Sequence, residues 1–183
     1  VGTHSVFIDV ADITQILRVP LTASVRFPGD VTLLVADFEV PGAFADGGFV
    51  AVSDPGSSQN DWVRADGPAP GAPFATGRDT AHAAFFDLPW VQGFVDDLVS
   101  PAMDASEVAA AFVRFAAAFV DYPDEQSDPP VLAELLVSSD DGATWTSVWQ
   151  HSEVDGSLPY RVHTVALEGF TPTPALRIAF RVS

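Results

Sequence analysis

The stretch Ser138–Trp145 constrains the fold of this chain more than any other part of its sequence. It separates two runs of apolar and β-branched residues, 132–138 and 144–151. Asp140 can accept hydrogen bonds from amides inside a turn, and Gly142 tolerates the positive φ that hairpin turns require. The flanking serine and threonine can tie the turn across, and the tryptophan ring can cover its exposed side. The sequence therefore predicts a β-hairpin here.

Further short strand signals run along the rest of the chain. Segments of apolar and β-branched residues are separated by proline, glycine and aspartate, which is the pattern of strands joined by turns. The segments are Ser5–Val10, Leu17–Phe27, Val31–Val40, Gly47–Val52, Arg161–Leu167 and Leu176–Val182. Residues 53–79 are so rich in Pro, Gly and Asp that we expect long surface loops there. The sequence as a whole predicts an all-β fold.

Residues 107–121 fit two structures. Apolar residues recur at helical spacing from Val108 to Phe119, and the surrounding alanines favour a helix. Val113, Phe115 and Phe119 also fall at the alternating positions of a strand. The residues fit both structures, and local propensity favours the helix.

Charge and composition exclude several function classes. The chain has a net charge of −17, and all eight of its basic residues are arginines. Such a surface repels nucleic acid and anionic membranes, so we expect neither as a partner. Because cysteine is absent, there are no disulfides, thiol nucleophiles or zinc–thiolate sites. The longest apolar run, 108–120, is too short for insertion across a bilayer.

The 138–145 stretch resembles the Asp-box of sialidase-type β-propellers and of many secreted β-sandwich modules. A sialidase would carry several copies around a propeller, with an arginine triad and a tyrosine nucleophile. This chain carries one copy and only two tyrosines. The motif therefore indicates a folding device rather than an active site, and we expect no enzymatic activity.

Four other segments resemble one family of jelly-roll domains, the MAM, cleaved-adhesin and choice-of-anchor J group. They follow the family's order along residues 35–183 and include its "DFE", "DW", "LvSP" and C-terminal strand motifs. The segments are Val35–Glu39, Asn60–Trp62, Val95–Asp104 and Leu176–Arg181. The lack of cysteines fits the bacterial branches of the group.

This resemblance implies an antiparallel two-sheet jelly-roll β-sandwich, of the concanavalin A-like or galactose-binding-like kind, over residues 31–183. It also implies that residues 112–120 form a strand. Residues 1–30 are then an N-terminal extension or edge strands. Because the chain begins at Val1 and shows no signal peptide, we expect it to be a mature fragment whose partners include other domains of a longer chain.

The family resemblance also implies a structural calcium ion near the opening strand. Asp37 and Glu39 flank Phe38, so both carboxylates lie on one face of that strand, and loop residues Asp61, Asp79 and Asp128 could complete the oxygen ligands that calcium prefers. A simply solvated pair of carboxylates is the alternative. The four histidines lack the spacing of a zinc helix, so we expect them in strands or loops.

Tryptophans supply the remaining functional candidates. Trp62, Trp145 and Trp149 could bind a ligand, and the last two would lie on one face of a regular strand, ~13 Å apart. Core packing of at least one of them is the alternative.

We expect a non-catalytic binding or adhesion module of a secreted or cell-surface bacterial protein, stabilised by calcium, whose partner is a surface protein or a glycan. A carbohydrate-binding module accessory to a secreted hydrolase or protease is the second hypothesis.

Overall fold

The computed structural model describes residues 5–13, 31–36, 48–53, 62–66, 81–85, 94–120, 130–167 and 170–183. Eleven strands lie in these residues, with one 3₁₀ turn at Glu153–Asp155 and no α-helix. The strands are β1 Ser5–Ile13, β2 Val31–Ala36, β3 Val50–Ser53, β4 Trp62–Asp66, β5 Ala81–Phe85, β6 Asp96–Val99, β7 Ala110–Phe119, β8 Leu132–Ser138, β9 Thr146–Ser152, β10 Leu158–Ala166 and β11 Arg177–Val182. The all-β prediction is confirmed.

The strands form two sheets. One has five strands in the order β3-β6-β11-β8-β9, and every neighbouring pair in it is antiparallel, as predicted. The other has six strands, with the path β10-β7-β1-β5-β4 and β2 beside β1. Its β7–β10 and β4–β5 pairs are antiparallel, whereas β1 runs parallel to β7, β2 and β5. The prediction of antiparallel sheets does not hold around β1.

Strand β1 lies inside its sheet. Residues 6–10 of β1 pair with β7 on one side and with β2 on the other. Residues 1–30 were expected to be an extension or edge strands, and the part of that segment that the structure describes is strand β1, which has partners on both sides. The predicted strand Ser5–Val10 is confirmed and extends to Ile13, whereas Leu17–Phe27 lies outside the described residues.

Residues 107–121, which the residues alone left ambiguous, contain strand β7, Ala110–Phe119, so the strand expected over 112–120 is confirmed. Val113, Phe115 and Phe119 point to the core, and the alternate residues Ala116 and Ala118 are also buried. The C-terminal half of β7 is buried on both faces and so has a continuous apolar sequence, whose alanines favour a helix locally. Pairing with β1 and β10 on its two sides overrides that propensity.

Strand β4, Trp62–Asp66, corrects the expectation of loops over residues 53–79. It pairs antiparallel with β5, and its first residue is buried. Five residues between Pro- and Gly-rich segments are too few for a clear alternation in sequence, so the strand is specified by its pairing and not by its local pattern.

The core lies between the two sheets. Phe115 on β7 meets Phe180 on β11 with ring centroids 5.3 Å apart at an angle of 65°. The largest fully buried side chains come from both sheets and from the segments between them: Phe115, Phe119, Phe180, Leu98, Leu135 and Leu176. In the part of the chain that the structure describes, no helix is long and apolar enough to cross a membrane.

Candidate functional site

Strands β8 and β9 form the predicted hairpin, and residues 138–145 make its turn. The Asp140 carboxylate organises the turn. It accepts hydrogen bonds from the Thr144 amide at 2.8 Å, from Thr144 Oγ1 at 2.6 Å and from Ser138 Oγ at 2.7 Å. These bonds favour the charged form, so the two from Thr144 and the one from Ser138 together lower the pKa of Asp140 from 3.8 to about 2. This carboxylate holds the turn together and is not poised to exchange a proton near neutral pH.

The middle of the turn needs left-handed backbone. Asp141 has a φ of 61° and Gly142 a φ of 91°. The Gly142 amide donates to Ser138 Oγ at 2.8 Å. A Cβ at this position would lie 3.4 Å from Cζ2 of Trp145, so the indole covers the glycine. The predicted role of Gly142 is therefore confirmed, and the Trp145 ring lies against the turn as expected.

Arg177 ties the tip of the hairpin to the rest of the five-stranded sheet. Its Nε donates to Asp141 at 2.6 Å, and its NH1 group donates to the Ser100 carbonyl at 2.9 Å. The buried Ser100 Oγ accepts the Ile178 amide at 3.0 Å and donates to the Pro101 carbonyl at 2.9 Å. The turn, strand β11 and the segment after β6 thus form one hydrogen-bonded corner, which we call the hairpin corner.

Asp140→Asn should lower the melting temperature at pH 7, because the amide cannot accept both Thr144 bonds and the serine bond as a carboxylate does. The carboxylate's contribution is present above pH 3.8 and is lost as the pH falls through about 2, because folding lowers the pKa of Asp140. In NMR, the Thr144 amide shift should titrate with a midpoint near pH 2. A midpoint near 4 would show that the bonds do not form.

A matched control for this variant is Ser139→Ala, one residue away in the same turn. The Ser139 side chain makes no hydrogen bond to the residues described here. Its replacement should leave both the melting temperature and the Thr144 titration unchanged.

The three tryptophans considered as ligand-binding residues lie in different surroundings, and at least one of them packs in the core. Trp62 is only 3% exposed, and its Nε1–H donates to the Asp96 carbonyl at 3.2 Å, so it belongs to the core. Trp149 is partly buried and packs against the core. Trp145 is partly buried on the 138–145 turn.

A β-bulge explains why Trp145 and Trp149 are not on one face. Leu135 pairs with Trp149, but its neighbour Leu136 pairs with Ser147, so strand β9 carries one extra residue, Val148. The bulge reverses the alternation of side chains, and Ser147 and Trp149 lie on opposite faces although they are two residues apart. Trp145, two residues before Ser147, therefore lies off the face of Trp149. The prediction that Trp145 and Trp149 lie on one face was wrong because it assumed a regular strand.

The five predicted calcium ligands, Asp37, Glu39, Asp61, Asp79 and Asp128, all lie outside the described residues. Within the described ranges, no group of three or more His, Asp or Glu side chains is arranged to hold a metal ion.

The contacts of two arginines were not predicted from the sequence. Arg177 reaches Asp141 and Ser100, and Arg181 makes a two-pronged ion pair with Asp97, both bonds at 2.8 Å. The alternation of β11 predicts that both arginines lie on its outer face. Their partners are up to 84 residues away in sequence, and no local signal identifies them.

No family model, curated protein or solved structure matches this chain. The resemblance to the MAM and choice-of-anchor J group therefore remains a prediction from short motifs.

Proposed function

We propose that the chain is a non-catalytic binding or adhesion module of a secreted or cell-surface bacterial protein, and that it contacts a partner protein. The observation that carries the choice of a protein over a glycan is the use of the described tryptophans in packing. Trp62 is in the core, Trp149 lies against it and Trp145 covers a turn. Glycan recognition on a β-sandwich usually needs exposed flat rings, and these three do not provide a shared platform.

The charged groups of the hairpin corner support a role without catalysis. A catalytic carboxylic acid needs a raised pKa, whereas hydrogen bonds lower the pKa of Asp140 to about 2. Asp141 and Asp97 each hold an arginine of β11. All of these side chains are engaged in joining strands.

We further propose that residues 31–183 form a jelly roll. Two features support it: two sheets face each other across one core, and the five-stranded sheet is antiparallel with non-consecutive neighbours. Strand β1, from residues 1–30, then lies within one of the two sheets of this jelly roll, between β7 and β2.

Strand β3 offers a surface for a protein partner. It forms an edge of the five-stranded sheet, and its side chains Val50 and Val52 are 60% and 52% exposed. Its sequence, Val-Ala-Val-Ser, contains no charge or proline, the devices that usually protect an edge from an added strand. A net charge of −17 disfavours a second copy of the chain. The proposed occupant is an extended segment of a less acidic partner protein.

Binding to a panel of immobilised extended peptides, from acidic to basic, tests this function. The purified chain should bind at least one of the less acidic peptides saturably, and a Val50→Lys/Val52→Lys double variant should lose that binding while keeping its melting temperature. The double variant should lose binding because charges on an edge strand block the addition of a further strand. Val154→Lys, at a site that is 75% exposed and remote from β3 in sequence, serves as the matched control. Equal binding by both variants would exclude the β3 edge.

A structural calcium ion remains part of the proposal on the strength of the family resemblance alone. Calcium that binds the folded chain stabilises it by mass action, so chelation should lower the melting temperature. We expect a lower melting temperature in EDTA and its recovery with excess calcium but not with magnesium, which is smaller and demands stricter geometry. An unchanged melting temperature in EDTA would remove calcium from the account.

A carbohydrate-binding module is the second candidate. It retains one specific observation, the partly exposed Trp145 beside Arg177 on the outer side of the hairpin. A single ring next to an arginine could support a small glycan contact, and binding that depends on Trp145 would identify it.

A further inference from the structure

The edges of the two sheets meet where β9 approaches β10. Three rings from three strands pack together there. His163 on β10 stacks on Phe115 of β7, with ring centroids 5.1 Å apart and planes at 17°. Trp149 on β9 lies edge-on to both, with centroids 5.1 Å from His163 and 5.2 Å from Phe115. We call Phe115, Trp149 and His163 the aromatic cluster. It links the edge strand of one sheet to the edge strand of the other.

The packing leaves one nitrogen of His163 without a partner. Nε2 is buried and has no hydrogen bond within the part of the chain that the structure describes. A neutral imidazole carries one N–H, which can sit on Nδ1 and leave Nε2 as a bare lone pair among the rings. A protonated imidazole must carry an N–H on both nitrogens. The second N–H would then be buried without an acceptor, which is unfavourable.

The charged surroundings of His163 also oppose protonation. The groups that act on it are Arg161, on its own strand, and His151, on β9. Arg114, the charged residue of β7, alternates with Phe115 and so lies on the other face of the sheet. The two arginines of β11 lie on the outer face of the other sheet, where they bind Asp141 and Asp97. Burial first, then Arg161 and His151, lower the pKa of His163 from 6.5 to about 4.

One interaction favours the protonated form of His163. A cation above an aromatic ring is attracted to its face, and Phe115 offers such a face. The attraction is weak for phenylalanine, and it supplies no acceptor for the buried N–H.

We propose that His163 is an acid-sensitive latch: its neutral ring joins β10 to β9 across the two sheets, and protonation releases that joint. A histidine whose pKa is lower in the folded state adds stability that is fully present above pH 6.5 and is lost as the pH falls toward 4. The module should therefore loosen at the β9–β10 edge under mild acid. This inference is independent of the partner that the module binds.

Melting temperatures of the wild type and of His163→Phe, measured from pH 7.5 to 4.5, test the latch. Phenylalanine keeps a ring in the aromatic cluster and removes the titrating nitrogens. We expect similar melting temperatures at pH 7.5 and a growing advantage of His163→Phe over the wild type as the pH falls. His151→Gln keeps His163 and should still lose stability in acid, but less steeply than the wild type, because His151 contributes to the lowered pKa of His163. The many carboxylates affect the wild type and His163→Phe alike, so the difference between these two isolates His163.

An NMR titration of the His163 imidazole in the wild-type chain gives the second readout. It tests the latch even if the variant folds poorly. The ring signals should titrate with a midpoint below 5, and amide exchange in β10 should accelerate over the same range. A midpoint at or above 6.5, or an acid response that is identical in His163→Phe and the wild type, would overturn the proposal.

Discussion

Phe115→Ala should destabilise the protein by about 3–5 kcal/mol, the usual cost of truncating a buried phenylalanine. The side chain is 1% exposed and contacts Phe180, Trp149 and His163 at once. Its loss leaves a cavity between the two sheets, next to the place where the edge strands β9 and β10 approach each other. Guanidinium denaturation, followed by circular dichroism, would measure the loss in the free energy of unfolding.

Phe112→Ala provides the matched control, because it removes the same group from the same strand. Phe112 is partly exposed on the opposite face of β7. Its truncation should cost less than half as much as that of Phe115. Equal costs for the two variants would contradict the assignment of β7 as a strand with Phe115 directed into the core.

Trp62→Ala should cost a similar amount, about 3–5 kcal/mol. The indole is buried, and its Nε1–H donates to the Asp96 carbonyl. Trp62→Phe keeps most of the apolar volume and removes the hydrogen bond, so a smaller loss of about 1 kcal/mol is expected. Thermal and denaturant unfolding of both variants would separate the packing contribution from the hydrogen bond.

The same series distinguishes a core residue from a ligand-binding one. Trp145 is partly buried on the 138–145 turn, and Trp145→Ala should be milder than Trp62→Ala. If Trp62→Ala folded with undiminished stability, Trp62 would be free for the ligand-binding role that the sequence first suggested.

Local chemistry made the hairpin predictable. Asp140, Gly142 and Trp145 each have the role that their residue type and spacing indicated, because each of them contacts other residues of the turn itself. The alternation of β11 was equally clear, since Ile178 and Phe180 are buried on one face and Arg177 and Arg181 are partly exposed on the other.

Features that depend on distant pairing were not predictable. The residues of strand β7 looked helical because of their spacing and their alanines, and pairing with β1 and β10 determines that the strand is extended. The bulge at Val148 shifts the pairing of β9 with β8 by one residue. A single sequence does not show such a shift. Arg177 and Arg181 likewise find partners that are 36 or more residues away.

In the candidate site, too, features with local contacts were predicted and features that depend on distant pairing were not. The 138–145 turn was found from its own residues, whereas the aromatic cluster was missed. His163, Trp149 and Phe115 come from three strands, and His163 was expected only to be a strand or loop residue. An apolar environment for a histidine becomes visible only once the register of β10 against β7 places His163 opposite Phe115.

The central functional claim is that this module binds protein and does not use tryptophans as a glycan platform. Retention of the wild-type chain and of Trp145→Ala on a panel of insoluble polysaccharides, together with a glycan array, tests it most directly. The account predicts no saturable retention for either protein. Saturable binding by the wild type that is lost in Trp145→Ala, with the melting temperature preserved, would contradict it and establish a carbohydrate-binding module.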